Sequence, residues 1–218
     1  MPYDTIEANK TGVVFFDMLN AGYRGRPAEF NRLAEPMIAN CIRLREAARR
    51  HSIPIFFPKA DHRPQADDFA HRYIDLSPQM VPWEDPENRV RPHGSNVACN
   101  PGAEVIDELK PEPEDYVVPK HRWSAFFQTK MELSMRSRGI DVMVLCGGST
   151  EVGIASTAYA ARDLDLDLVF VSDATRSGKP DVHEMFMTKI FPRMGRVRDT
   201  EQVIAMMDAG AAAKGAGE

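Results

Sequence analysis

The sequence predicts an α/β protein of three layers, with helices over both faces of a six-stranded, mostly parallel sheet, built as a single domain over residues 1–218. Three observations predict it. Short apolar runs of strand length alternate along the chain with longer stretches whose apolar residues recur at helical spacing, and strands separated by helices close into a parallel sheet covered on both faces. The runs are apolar at nearly every position, as strands buried on both faces are. A chain of 218 residues fills one sizeable core and shows nothing that requires a second.

Taken in order, Thr11-Gly-Val-Val-Phe-Phe-Asp17 reads as the first strand, ending in a carboxylate. Met18 to Arg26 reads as a loop, and Glu29 to Arg50 as a helix with Leu33, Met37, Ile38, Cys41, Ile42 and Leu44 on its core face. Ile53 to Phe57 is the second strand, where Pro54 is tolerable near the start. Residues from about 58 to 101 are polar, proline-rich and without sustained period. So long an irregular stretch inside a compact domain predicts a lid or substrate loop. Gly102 to Leu109 reads as a short helix, Asp115 to Val118 as the third strand, and Thr129 to Gly139 as a helix closed by its glycine. The fourth strand is Val142 to Cys146, a helix starts at Thr150, and Asp165 to Ser172 is the fifth strand. Asp181 to Phe191 forms a helix, a short sixth strand begins near Val197, and the last helix from Thr200 ends in a disordered Ala/Gly tail over about 209–218.

The net charge of −5 argues against a nucleic-acid polyanion or an anionic membrane as partner, and points to a small molecule. Cys41, Cys99 and Cys146 have neither disulfide nor zinc spacing, which fits a reducing compartment, the cytoplasm. The start of the chain lacks a basic-then-apolar signal, and no apolar run approaches the roughly 18 residues that span a bilayer.

The stretch from Val142 to Arg162 is the unit that builds a site: an apolar strand, a turn of Gly147, Gly148, Ser149 and Thr150, then a helix. In an open α/β sheet the carboxyl end of a strand and the amino end of the next helix face one crevice, where backbone N–H groups can hold an anion. Gly148-Ser-Thr-Glu-Val-Gly-Ile154, followed by Thr157-Ala158 and Ala161, resembles the G-x-T-x-x-C-V…TA…A signature of the isochorismatase-like (cysteine hydrolase) superfamily, which includes nicotinamidases, N-carbamoyl amidohydrolases and isochorismatases. Two more blocks match in the family's order: the strand ending at Asp17, and Val118-Pro-Lys120-His-Arg122-Trp-Ser124-Ala-Phe126, which is similar to a K-x-R-x-S-A-F block. The resemblance therefore covers nearly the whole chain. It implies the isochorismatase-like fold, a hydrolase without cofactor, a homodimer or homotetramer, and Asp17 and Lys120 meeting at the sheet's carboxyl edge as the catalytic pair.

One position departs from the pattern. Where the family's amidohydrolases carry the nucleophilic cysteine, this chain has Gly153. Loss of a nucleophile removes many powers of ten in rate, so Gly153 demands a different chemistry or none. Some isochorismatases supply a precedent without the cysteine: an acid protonates the enol carbon of a vinyl ether and water adds to the cation. Asp17 is the acid the match supplies, and the same residues fit the mirror-image route, in which Asp17 as base activates water for C–N cleavage. An adjacent ammonium favours the carboxylate and burial the neutral acid, so both routes stay open. The alternatives are a catalytically silent small-molecule binding protein and an amidohydrolase using a displaced thiol, Cys146, although Cys146 reads as a core residue and Cys99 as structural.

For binding, the resemblance places the family's frequent non-proline cis peptide at Gly148–Ser149, with the Ser149 and Gly153 N–H groups as anion or oxyanion donors. Thr150 reads as the helix N-cap and Glu151 as complement to the helix dipole. Lys59, Asp61, His62, Arg63 and Arg72 on the long loop are candidate substrate contacts, and such a cationic cluster suggests an anionic ligand. His121, Arg122 and Trp123 are candidates for the pocket wall. Asp61-His62 resembles part of a nicotinamidase metal patch, but a second histidine at suitable spacing is missing and His71 lies too far along, so no metal is expected.

Overall fold

The computed structural model describes residues 3–64, Asp68 and 97–215. Most of the expected substrate loop, including His71 and Arg72, lies outside the described residues. Six strands, β1 (Thr11–Phe16), β2 (Ile55–Ala60), β3 (Tyr116–Lys120), β4 (Val142–Gly148), β5 (Asp167–Arg176) and β6 (Arg196–Arg198), form one sheet in the order β3-β2-β1-β4-β5-β6. Every pairing is parallel. Between them run α1 (Asn20–Tyr23), α2 (Ala28–Arg50), α3 (Met131–Arg136), α4 (Ala155–Asp163) and α5 (Pro180–Met185), and α6 (Thr200–Gly215) follows β6. No described helix is long and apolar enough to cross a membrane.

The pleat divides each central strand between two cores. Val13 and Phe15 of β1, with Val144 and Cys146 of β4, pack under Met37, Ile38, Cys41 and Leu44 of α2 and Val203, Met206 and Met207 of α6. Val14 and Phe16, with Met143 and Leu145, pack under Met131 and Met135 of α3 and Ala155, Ala158 and Ala161 of α4. Both faces of β1 and β4 are thus covered, which is why these strands read as unbroken apolar runs.

Several boundaries differ from the expectations, each for a reason of pairing. Strand β2 runs to Ala60, because Pro58, though lacking an N–H, still accepts the Asp17 N–H at 3.0 Å and the ladder with β3 continues through Ala60↔Lys120. Residues 58–60 therefore belong to the sheet and not to the loop. The helix expected over Gly102–Leu109 is two 3₁₀ turns, Pro101–Ala103 and Asp107–Leu109. Glu104 O and Ile106 N are bonded to Asn20 N and Met18 O at 2.9 Å each, so they are not free to close helical turns. The helix expected over Asp181–Phe191 is α5 followed by a π turn (Phe186–Ile190) and a 3₁₀ turn (Phe191–Arg193).

The expected tail is also corrected over its first part: α6 continues to Gly215. Gly210 there is a close-approach glycine, since a Cβ on it would stand 1.9 Å from Ile6 O, and Ile6 N donates to Met206 O at 3.3 Å. The small residues let the first segment of the chain lie against this helix.

Candidate active site

The strand order reverses between β1 and β4, and the carboxyl ends of those two strands open the crevice where open α/β sheets place ligands. Asp17 is the first residue past β1 and adopts a positive φ of 47°. Its Oδ1 accepts the Ala60 N–H at 3.0 Å and its Oδ2 lies 2.7 Å from Lys120 Nζ. Lys120 ends β3, two strands away, and reaches across the end of β2. Its side chain is 6% exposed against 25% for that of Asp17, so the ammonium is enclosed while the carboxylate keeps one open flank. The Lys120 ammonium also stands 4.6 Å from the centre of the Phe16 ring. A charge so enclosed is tolerable because it is paired and hydrogen-bonded.

On the other side of the crevice β4 ends in Gly147 and Gly148. Gly147 has φ 105°, and a Cβ there would meet Phe16 O at 2.2 Å, so the strand can close on β1 only with glycine. The Gly148–Ser149 peptide is cis, at the place the resemblance assigns to it. A π turn over Thr150–Ile154 then leads into α4. Thr150 does not cap this helix. Ser149 holds the cap position, and Thr150, fully buried, has its hydroxyl 2.8 Å from His183 Nδ1. His183 Nε2 faces the Ser172 carbonyl at 3.1 Å, so Nε2 carries the proton and Nδ1 accepts from Thr150. Burial, against weaker opposing effects of Ser172 and Glu151, pushes the His183 imidazole down from its ordinary value. The Lys120 block is tied to the same helix, because the Ala125 N–H donates to Thr157 Oγ1 at 3.0 Å.

Asp17 and Ser149 border a cavity of about 330 Å³, whose other walls include Tyr23, Arg26, Phe30 and Arg176. None of these four was expected from sequence. Arg176 ends β5 and is brought to the crevice by its pairing with Gly148. Its guanidinium lies 4.4 Å from the centre of the Phe30 ring, with that of Arg26 at 5.3 Å from the same ring. Arg176 Nη1 is buried and has no hydrogen-bond partner among the described residues. Tyr23 sits with its hydroxyl near Gly148, since a Cβ on that glycine would come within 2.8 Å of it. Burial first, then the nearby Cys41 and Asp17, push the Tyr23 phenol well up, so it is a neutral hydrogen-bond donor.

The remaining expected site residues lie elsewhere. Lys59 pairs with Glu104 at 3.2 Å. His62 packs edge-on to His121, ring centres 5.6 Å apart, with Nδ1 3.3 Å from Asp68 Oδ1. Arg122 donates to the Asp68 and His121 carbonyls at 2.9 and 2.6 Å. Trp123 is 65% exposed and forms no pocket wall among the described residues. None of these four lines the cavity, and neither does Gly153. The displaced-thiol alternative fails on burial: Cys146 is fully buried, donates to Val14 O at 3.2 Å, and its thiol is pushed up by desolvation and by Cys41. Cys99, expected to be structural, is exposed. Among the described residues no group of three or more His, Cys, Asp or Glu is placed to hold a metal ion.

Residues 11–202 match the isochorismatase domain family. A ureidoacrylate amidohydrolase, RutB, of Pseudomonas savastanoi pv. phaseolicola (strain 1448A / Race 6) is 31% identical over 189 residues, covering 81% of this chain and 74% of that protein. The isochorismatase family protein YwoC of Bacillus subtilis (strain 168) is 41% identical over 102 residues, 47% of this chain and 54% of its own length. This chain thus spans about half the length of that relative. Among solved structures, an isochorismatase family protein from Burkholderia thailandensis superposes with a TM-score of 0.74 at 27% identity, over 94% of this chain and 98% of that one.

Proposed function

This chain belongs to the isochorismatase family, which is hydrolytic, and from that premise we propose that it hydrolyses a small anionic molecule without a cysteine nucleophile, using Asp17 and Lys120. The observation that carries the reading is the 2.7 Å Lys120–Asp17 pair, open on one flank to a cavity that Arg176 lines, its Nη1 buried and without a hydrogen-bond partner among the described residues. An anionic group on the substrate pairs with the Arg176 guanidinium at the cavity wall, and Arg26 adds a second guanidinium beside the same Phe30 ring.

The geometry favours Asp17 as base. The Ala60 N–H at 3.0 Å and the ammonium at 2.7 Å both hydrogen-bond a charged carboxylate, leaving it set to take a proton from water. The water oxygen then bonds to the electrophilic carbon of the C–N substrate and its proton passes to Asp17. The charge that develops on the carbonyl oxygen meets the Ser149 main chain and the neutral Tyr23 phenol. The C–N bond then breaks, its electron pair leaving with the nitrogen, and Asp17 returns the proton to that nitrogen. Cleavage of a vinyl ether with Asp17 as acid uses the same residues in reverse and is the second route. The expected homodimer or homotetramer stands as part of the proposal, supported by exposed Trp123, Phe127 and Leu133 after β3.

A panel of isochorismate, nicotinamide, ureidoacrylate and N-carbamoyl acids, run on wild type and Asp17→Asn, tests this. Turnover of an anionic member, lost by roughly 10²–10⁴-fold in Asp17→Asn, is the expected outcome. Equal turnover by Asp17→Asn would sink the mechanism, and binding without turnover by wild type would favour a silent binding protein.

A further inference from the structure

Gly153 does not line the cavity, and the ring of Phe16 lies where its side chain would stand. A Cβ built on Gly153 would meet that ring at 2.1 Å from Cε1, 2.7 Å from Cζ and 3.0 Å from Cδ1. The backbone does not forbid a side chain there, because Gly153 lies in the helical turn Thr150–Ile154. The exclusion is therefore made by one side chain from β1. Nor is that ring a loose arm. It is fully buried, belongs to the core with Val14, Leu145, Ile154 and Ala155, and has the Lys120 ammonium 4.6 Å from its centre. Moving it aside disturbs a packed core and the seat of the catalytic lysine. The open cavity meanwhile is lined by Asp17, Tyr23, Arg26, Gly148, Ser149 and Arg176, with neither Phe16 nor Gly153 among its walls.

We propose that Phe16 determines which nucleophile this site can use: its ring fills the volume that a side chain at position 153 needs, closing the α4 side of the crevice and leaving attack to water on the arginine-lined side. The inference rests on the water mechanism above, but its central arm needs no natural substrate. A glycine at 153 and a large aromatic at 16 are two halves of one packing solution. Restoring a thiol at 153 alone cannot restore thiol chemistry.

The test uses four forms in a Cys99→Ser background, so that the exposed native thiol does not report: the parent, Gly153→Cys, Phe16→Val, and both together. Melting temperature, iodoacetamide labelling located by mass spectrometry, and the burst of p-nitrophenolate from p-nitrophenyl acetate are read for each. In the burst the Cys thiolate bonds to the acetyl carbon, the ester C–O bond breaks, and p-nitrophenolate leaves with the electron pair. Water then cleaves the thioester to acetate and free thiol. Gly153→Cys alone should melt about 3–10 °C below the parent and give no burst. Adding Phe16→Val should raise the melting temperature above that of Gly153→Cys, label residue 153 stoichiometrically, and produce a burst abolished by iodoacetamide. A Gly153→Cys protein that melts with the parent, labels fully and bursts without Phe16→Val would overturn the proposal. So would a double variant no more stable than Gly153→Cys and still unlabelled. Neither result bears on whether Asp17 turns over the natural substrate.

Discussion

Replacing Arg176 by methionine should make the free protein more stable and the working site worse. Methionine keeps an unbranched stem beside Phe30 and removes the guanidinium, whose Nη1 is buried with no partner among the described residues. An orphaned buried donor costs about 1–3 kcal/mol. Against this, loss of the stacked cation at 4.4 Å from the ring centre costs about 0.5–2 kcal/mol, leaving a net gain of about 1 kcal/mol. For a chain of 218 residues that raises the melting temperature by about 2–4 °C. With an anionic substrate bound the sign reverses, because a charge-assisted hydrogen bond of about 1.5–3 kcal/mol is lost, equivalent to roughly 10–150-fold in affinity. Differential scanning calorimetry without ligand, then with increasing substrate, reads both effects on one sample, and steady-state kinetics should place the loss in KM. An Arg176→Met protein that melts below wild type, yet shows the same substrate-induced shift and the same KM, would refute the reasoning.

Three further outcomes follow from the geometry. Tyr23→Phe should lower kcat by about 2–12-fold, the worth of one neutral hydrogen bond, with little change in melting temperature, and kinetics on the substrate found in the panel checks it. Because the folded state lowers the His183 pKa, its contribution to stability is present in full above the ordinary imidazole value of about 6.5 and is lost as the pH falls below that value, when Nδ1 takes up a proton from solvent and can no longer accept from Thr150. Melting temperatures below pH 6.5 should accordingly fall less steeply in His183→Gln than in wild type. Gly210→Ala should lose about 1–3 kcal/mol by urea unfolding, because its Cβ would stand 1.9 Å from Ile6 O, and an unchanged midpoint would mean the first segment does not lie against α6.

Much of the Asp17–Lys120 pair was legible because it sits at strand ends. The run Val13-Val14-Phe15-Phe16 can only be a strand buried on both faces, which sets Asp17 at its carboxyl edge, and matched blocks brought Lys120 to the same edge. The expected cationic and aromatic binding groups do not line the cavity, for a physical reason. Lys59, His62 and Arg122 looked available because cationic side chains on a polar stretch usually are, but Lys59 pairs with Glu104, His62 with Asp68 and His121, and Arg122 with two carbonyls, while Trp123 is exposed away from the cavity. Arg26 and Arg176 carried no local signal, since nothing in their neighbours says that both guanidinium groups lie against the Phe30 ring.

The order of apolar runs and helical stretches by itself determined a parallel sheet in three layers, because burial on both faces leaves its mark on every residue of a strand. It also determined that position 153 bears no side chain. Only the tertiary structure decided what that means. Phe16 and Gly153 are remote in sequence and touch through the packing of β1 against the first turn before α4, and Arg176 reaches the crevice through the register of β5 on β4. Periodicity reports whether a residue is buried; which partner it is buried against is set by register and the path of the loops, and these are properties of the folded chain.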